Sequence, residues 1–298
     1  MMIRQLRSLA AAVFAASLAL TGCSVGGASV EEPATVSLEG PAVRVVDPGT
    51  GDRQELRYSL SDDIQQAATL TVTQGFAQTA PGQDSAPEDN TMTLPLTATI
   101  DDEQRHYELG KPSGSVSELQ SDIETAEGFL VTVPADSQGR AVETDFAAPT
   151  IASETARASV ERALLLVLQT PVIFPDEPVG VGAKWTVENR VDGGTPVLQK
   201  LTYTLAGRDG DKLDLDVAVE QTPSQQALDF GADEGAATPG QLKVQSTKTQ
   251  VQLGTLSVDL SQPLPTSGAL DYVTTIKYGA DKSDTAVEQH THRAIRWG

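Results

Sequence analysis

Four places along this chain carry residue types that could do chemistry. Glu288, His290 and His292 alternate near the C-terminus, so a strand would present all three on one face, as two imidazoles and a carboxylate suited to zinc. The chain ends six residues after His292 and supplies no neighbouring Cys or His to complete the set, so the triplet reads as a solvated polar face. Asp209, Asp211 and Glu220 fall at positions 1, 3 and 12 of a calcium-loop count, but position 5 is Leu213 and the glycine needed at 6 is Asp214. Such a loop cannot wrap calcium, and Arg208-Asp209-Gly210-Asp211 reads instead as a hairpin of type I′. Gly180-Val181-Gly182 lacks the third glycine of a dinucleotide loop and leads into a strand, where a phosphate cradle needs a helix. The fourth place is Cys23, the only thiol in 298 residues.

Cys23 closes an N-terminal segment of recognisable design. Arg4 and Arg7 precede an apolar run from Leu9 to Leu20, interrupted only by Ser17. The run is shorter than the roughly 20 residues of a spanning helix and has the order of a secretory signal. Leu20-Thr21-Gly22-Cys23 resembles the bacterial lipobox. That resemblance implies cleavage after residue 22 and a diacylglycerol group, with palmitate-type chains, on the Cys23 thiol. Two acyl chains anchor a protein stably where one does not. The expected location is the extracytoplasmic face of the cell membrane, and Ser24 resembles residues that permit sorting to an outer membrane where one exists. Lipidation also explains why an exported chain carries a single cysteine, which can form no internal disulfide.

Charge narrows the partners. The formal net charge is −20, and loss of Arg4 and Arg7 with the signal takes it to −22. Such a body repels phosphate backbones, so no nucleic-acid partner is expected. Nucleophile elbows, P-loops and HExxH are absent and only three histidines are present, so the chain reads as non-enzymatic and without a cofactor.

The elements are mostly strands. Residues 23–40 have the Ser, Gly, Ala, Glu and Pro of a tether, and 41–298 form one β-rich domain that could divide into two halves around a central helix. Alternation marks strands from Ala42, over Gln54 to Leu60, at Leu70-Val72-Phe76, and from Met92 to Ile100 with Pro95 implying an edge or bulge. Phe129 to Val133 and Arg140 to Phe146 flank a turn at 136–139, and His106 follows Asp101-Asp102-Glu103 in a hairpin turn. Leu201-Tyr203-Leu205 and Leu213 to Val219 alternate again, followed by strands to Trp297.

The one strong helical period runs from about Ile151 to Gln169, with Val160, Ala163, Leu164, Val167 and Leu168 as its apolar stripe and Pro171 as its stop. The expected fold is α+β, mainly antiparallel, a curved half-barrel-like sheet packed on this helix. Pro175-Asp176-Glu177-Pro178-Val179-Gly180-Val181-Gly182-Ala183-Lys184-Trp185 then resembles a segment of an uncharacterised bacterial lipoprotein family. The layout as a whole is similar, more loosely, to lipoprotein-carrier and lipid-binding half-barrels. It implies a hydrophobic ligand between helix and sheet, with Val160, Leu164, Val167, Leu168 and Trp185 as the cavity set. The alternatives are an envelope structural or protein-interaction module and, third, a metal-dependent enzyme at Glu288, His290 and His292.

Overall fold

The computed structural model describes residues 29–38, 40–79, 87–191, 196–230, 240–280 and 286–298. Cys23 and the signal segment lie outside the described residues; of the Pro/Gly/Asp-rich loop the sequence predicts over Ala77 to Asn90, residues 77–79 and 88–90 are instead the ends of strands and 80–86 lie outside the described residues. The strands are β1 (Ala34–Ser37), β2 (Ala42–Asp47), β3 (Thr50–Gln54), β4 (Gln65–Thr79), β5 (Glu88–Asp101), β6 (Gln104–Leu109), β7 (Ser113–Gly114), β8 (Leu130–Pro134) and β9 (Glu143–Ala147). After the helix come β10 (Val179–Val181), β11 (Lys184–Val191), β12 (Val197–Asp209), β13 (Lys212–Pro223), β14 (Ala227–Phe230), β15 (Gly240–Asp259), β16 (Ser267–Gly279) and β17 (Ala286–Trp297). Helix α1 is a single turn (Gln120–Ile123) and α2 spans Glu154–Leu168.

Fifteen strands form one antiparallel sheet, thirteen of them in the path β1-β9-β8-β6-β5-β4-β17-β16-β15-β13-β12-β11-β2. Laid flat, twelve gaps of about 4.8 Å would hold the two edges about 58 Å apart. Yet the edges β1 and β2 are joined by residues 38–41, five steps from Ser37 to Ala42 that span at most about 18 Å. The sheet must therefore curl until its edges nearly meet. No ladder joins β1 to β2 among the described residues, so the sheet is curved but not a closed barrel.

Paired residues point to the same side of a sheet, so register shows what lines the inner face. One row runs Leu94, Leu70, Trp297, Gly268, Leu256, Leu215, Leu205 across six ladders. It joins the buried cluster around Leu94, Val72 and Ile295 to the one around Trp185, Tyr203 and Tyr272. Ala156, Val160, Ala163, Leu164 and Leu166 of α2 share the first of these clusters. Ser153 begins the helix, its hydroxyl accepting from the Ala156 N–H at 3.0 Å.

Several expectations need correction. The tether does not reach residue 40: Ala34–Ser37 pairs with β9, and Glu31 binds Arg157 of α2. Residues 55–60 are not a strand but a strap, with the Tyr58 N–H on the Ser137 carbonyl (2.7 Å) and the Ser59 N–H on Leu260 (2.8 Å). Strand β5 is interior, and Pro95 sits where β6 has just ended, at Leu96 opposite Leu109. Phe76 shares a face with Leu70 and Val72 yet is 51% exposed, because the cluster covering that face ends before it. His106 lies within β6; the turn before it uses positive φ at Asp102 (48°) and Glu103 (60°). The 209–212 hairpin has a two-residue loop in which only Gly210 has positive φ (61°), which is type II′ where I′ was expected.

Candidate functional site

The turn chemistry after α2 places the site. Pro171 stops the helix, and the chain crosses the inner face as Val172-Ile173-Phe174 before the Pro175–Trp185 segment. Trp185 is fully buried: its Nε1–H donates to the Ile173 carbonyl at 2.8 Å, and its ring stacks on Tyr203 at 5.6 Å. Tyr203 donates in turn to the Pro171 carbonyl at 2.7 Å. Asp176 ties the loop to its neighbours through Arg140 (3.2 Å), Arg57 (3.9 Å) and the Gln138 amide, and these partners, Gln138 foremost, hold its carboxyl below the usual range. Gly180 passes so close to Thr50 that a Cβ there would lie 2.3 Å from the Thr50 carbonyl oxygen. The Pro-rich segment is thus a closure for one end of the sheet, in which Gly180 serves backbone approach and Gly182 a positive φ of 85°.

Between this closure, the strap and the end of α2 lies a cavity of about 120 Å³. Leu164, Val167 and Leu168 line it from the helix, Tyr58 from the strap, and Leu96 and Ile295 from the sheet. Of the residues expected there, Leu164, Val167 and Leu168 are present; Val160 and Trp185 are not, being packed into the two buried clusters on either side. The sequence reading also missed Arg105. This residue lines the cavity, is 6% exposed, and holds its guanidinium 4.7 Å from the Tyr58 ring centroid. Its Nη2 donates to the Asp136 carbonyl at 3.1 Å, and Tyr107 bonds to it as well. Burial raises the Tyr58 hydroxyl to about 12 against the opposing pull of Arg105, so that hydroxyl stays protonated at neutral pH.

A second feature is polar. Asn189, Gln199 and Gln221 lie in register across β11–β13, and Thr249, Thr274 and Thr291 across β15–β17; the Gln221 N–H donates to the Thr249 hydroxyl at 3.2 Å and joins them into one polar row. Its side chains bond to one another, Gln221 to Gln199 at 2.9 Å and Thr274 to Gln221 at 2.7 Å. Asn189 and Gln199 both donate at 2.9 Å to the carbonyl of Gln169, the C-cap of α2. The row satisfies a buried helix end that would otherwise carry unpaired carbonyls.

The residues Glu288, His290 and His292 do share a strand face, and His290 Nε2 lies 3.6 Å from Glu288, but each also has partners outside the triplet. Glu288 pairs with Lys277 (2.6 Å), His290 with Thr275 (3.1 Å), and both ring nitrogens of His292 with carboxylates: Nδ1 with Asp89 (2.9 Å) and Nε2 with Asp271 (3.1 Å). Burial opposes charge on that imidazole, yet the two carboxylates prevail and raise its pKa. No group of three His, Cys, Asp or Glu is placed to hold a metal ion among the described residues.

A family model described only as a family of unknown function, DUF6263, matches residues 167–264. No curated protein and no solved structure matches the chain. The matched stretch runs from the end of α2 through the Pro175–Trp185 closure to Leu264, and so includes one wall of the cavity. Among the described residues no helix is long and apolar enough to cross a membrane.

Proposed function

We propose that this chain is a membrane-anchored extracytoplasmic lipoprotein whose body binds an apolar ligand without catalysis, with α2 seated inside a half-barrel. The cavity beside Leu164, Val167 and Leu168 carries this reading, because it lies on the face of the helix expected to hold a ligand. Its size limits the ligand. Drug-sized molecules occupy roughly 300–1,000 Å³, whereas 120 Å³ of space for water-sized groups holds on the order of eight of them, about the girth and length of one short alkyl chain.

Two experiments test the two parts. Cys23→Ser should release the protein from the membrane and abolish incorporation of labelled palmitate; retention of the variant would refute the anchor. Native mass spectrometry of the protein, followed by lipid extraction, should show a co-purifying apolar molecule. A bare protein from every extraction would refute the binder.

A further inference from the structure

We infer that the ligand of this cavity is a single-chain amphiphile with an anionic head, and that Arg105 reads the head; this rests on the binding role proposed above. The cavity is apolar along α2 and the sheet but has a cation at one end. Arg105 is 94% removed from water by its 6% exposure, and a buried guanidinium is normally matched by a carboxylate. Here none is: among the described residues no acidic side chain pairs with Arg105, and its Nε has no hydrogen-bond partner. The protein offers it one backbone carbonyl, the hydroxyl of Tyr107 and the face of Tyr58. A guanidinium has five N–H donors in a fork that fits a carboxylate or phosphate; Nε is itself sealed from water-sized groups, so a head group would reach the fork through Nη1 and Nη2.

Void and unpaired charge occur in the same place. Each is costly alone, the void through lost packing contacts and the charge through desolvation. A neutral apolar ligand would fill the void but leave the guanidinium buried without a counter-charge. An inorganic anion would pair with the charge but leave Leu164, Val167 and Leu168 facing empty space. A cationic amphiphile would meet Arg105 with like charge. Only an anionic head on one alkyl chain answers both, with the chain along the helix and the head at Arg105. The volume admits on the order of eight water-sized groups, one chain of about six carbons with its head, and excludes a two-chain phospholipid from entering whole.

Photo-crosslinking on the full chain in its native membrane tests this. Three six-carbon probes carry a diazirine at the chain end and a carboxylate, a hydroxyl or a trimethylammonium head. Labelled peptides are mapped by mass spectrometry. We expect the carboxylate probe to label residues 164–172 at concentrations about 10- to 100-fold below the hydroxyl probe, the factor of a charge-assisted hydrogen bond. The trimethylammonium probe should label least. Competition by hexanoate against hexyl phosphate then separates a free fatty acid from a phosphate-headed lipid. Equal labelling by carboxylate and hydroxyl probes would overturn the role of Arg105 while leaving the cavity as an apolar site. No labelling of these peptides by any probe would overturn the binding role itself. In Arg105→Gln the carboxylate preference should vanish while hydroxyl labelling persists, and that persistence also certifies the fold; a preference that survives the substitution refutes the assignment. Should Arg105→Gln fail to fold, Arg105→Lys, which keeps the charge, and the head-group ratio of the parent decide.

Discussion

Replacing Gln199 with leucine should destabilise the protein although leucine is the more apolar residue and the site is 1% exposed. The Gln199 carboxamide donates to the Gln169 carbonyl and accepts from the Gln221 amide (2.9 Å) and the Tyr272 hydroxyl (3.2 Å). In Gln199→Leu the Gln169 carbonyl keeps Asn189, but the Tyr272 hydroxyl loses its acceptor and the Gln221 amide keeps only a 3.5 Å contact to that hydroxyl. Each such donor costs about 1–3 kcal/mol, so the loss is about 4 kcal/mol. Burying the leucine returns about 2 kcal/mol. The net loss of about 2 kcal/mol lowers Tm by about 4–8 °C for a domain of this size. Urea unfolding followed by circular dichroism, at unchanged m, measures it. The double variant Gln199→Leu/Gln221→Leu removes the Gln221 amide along with its acceptor, so it should cost about 1–2 kcal/mol less than the sum of the singles. A single variant as stable as the parent, or strict additivity in the double, would show that the polar row does not hold the end of α2.

Three further outcomes follow from the geometry. His292, raised by Asp89 and Asp271, should titrate by NMR with a midpoint above 6.5. The stability it confers is complete below pH 6.5 and is lost as pH rises through the higher folded value, so the urea midpoint should fall across that window; His292→Gln should flatten the fall, and a rise would reverse the sign. Gly180→Ala places a Cβ 2.3 Å from the Thr50 carbonyl oxygen and should cost roughly 2–3 kcal/mol, whereas Gly182→Ala meets open space at φ +85° and should cost about 1 kcal/mol; thermal melts in the opposite order would refute the close-approach account. Ala141→Leu adds three carbons to the cavity wall and should stabilise the unliganded protein by about 1 kcal/mol after rotamer entropy while abolishing labelling of 164–172, so undiminished labelling would place the ligand elsewhere.

Local chemistry made the strands and α2 legible. The period of 3.6 from Val160 to Leu168, with Pro171 after it, located the helix to within three residues at either end. Alternation located β5, β12 and β13 because one face of each is buried without interruption. The strap at 55–60 was misread because Leu56 and Tyr58 alternate like strand residues, while their burial comes from tertiary contacts with 137 and 260. Gln199 and Gln221 continue the buried face of Leu201-Tyr203 and Val217-Val219, so extending that alternation by two residues would have exposed the polar row. Arg105 gave no such sign. A lone arginine between Gln104 and His106 becomes unusual only when the fold leaves it 6% exposed and, among the described residues, without an acidic ion-pair partner.

The family match over 167–264 does not outline a unit that could fold by itself. The buried cluster around Trp185 and Tyr203 falls mostly within it, but that cluster is completed by Leu56 from the strap and by Leu270 and Tyr272 from β16, all outside the match. The polar row likewise needs Thr274 from β16, whose hydroxyl donates to the Gln221 carboxamide oxygen at its far end. The cavity is divided in the same way. Val167, Leu168, Pro171, Val172 and Leu264 lie inside the matched stretch, while Tyr58, Arg105 and Tyr107 lie outside it. A chain sharing only the matched stretch would therefore have the apolar wall and the turn that shapes it without the cation at its end. On the proposed reading, binding of an alkyl chain and selection of its head rest on separate parts of this fold, and a head-group preference of this chain does not carry over to proteins alike only over 167–264.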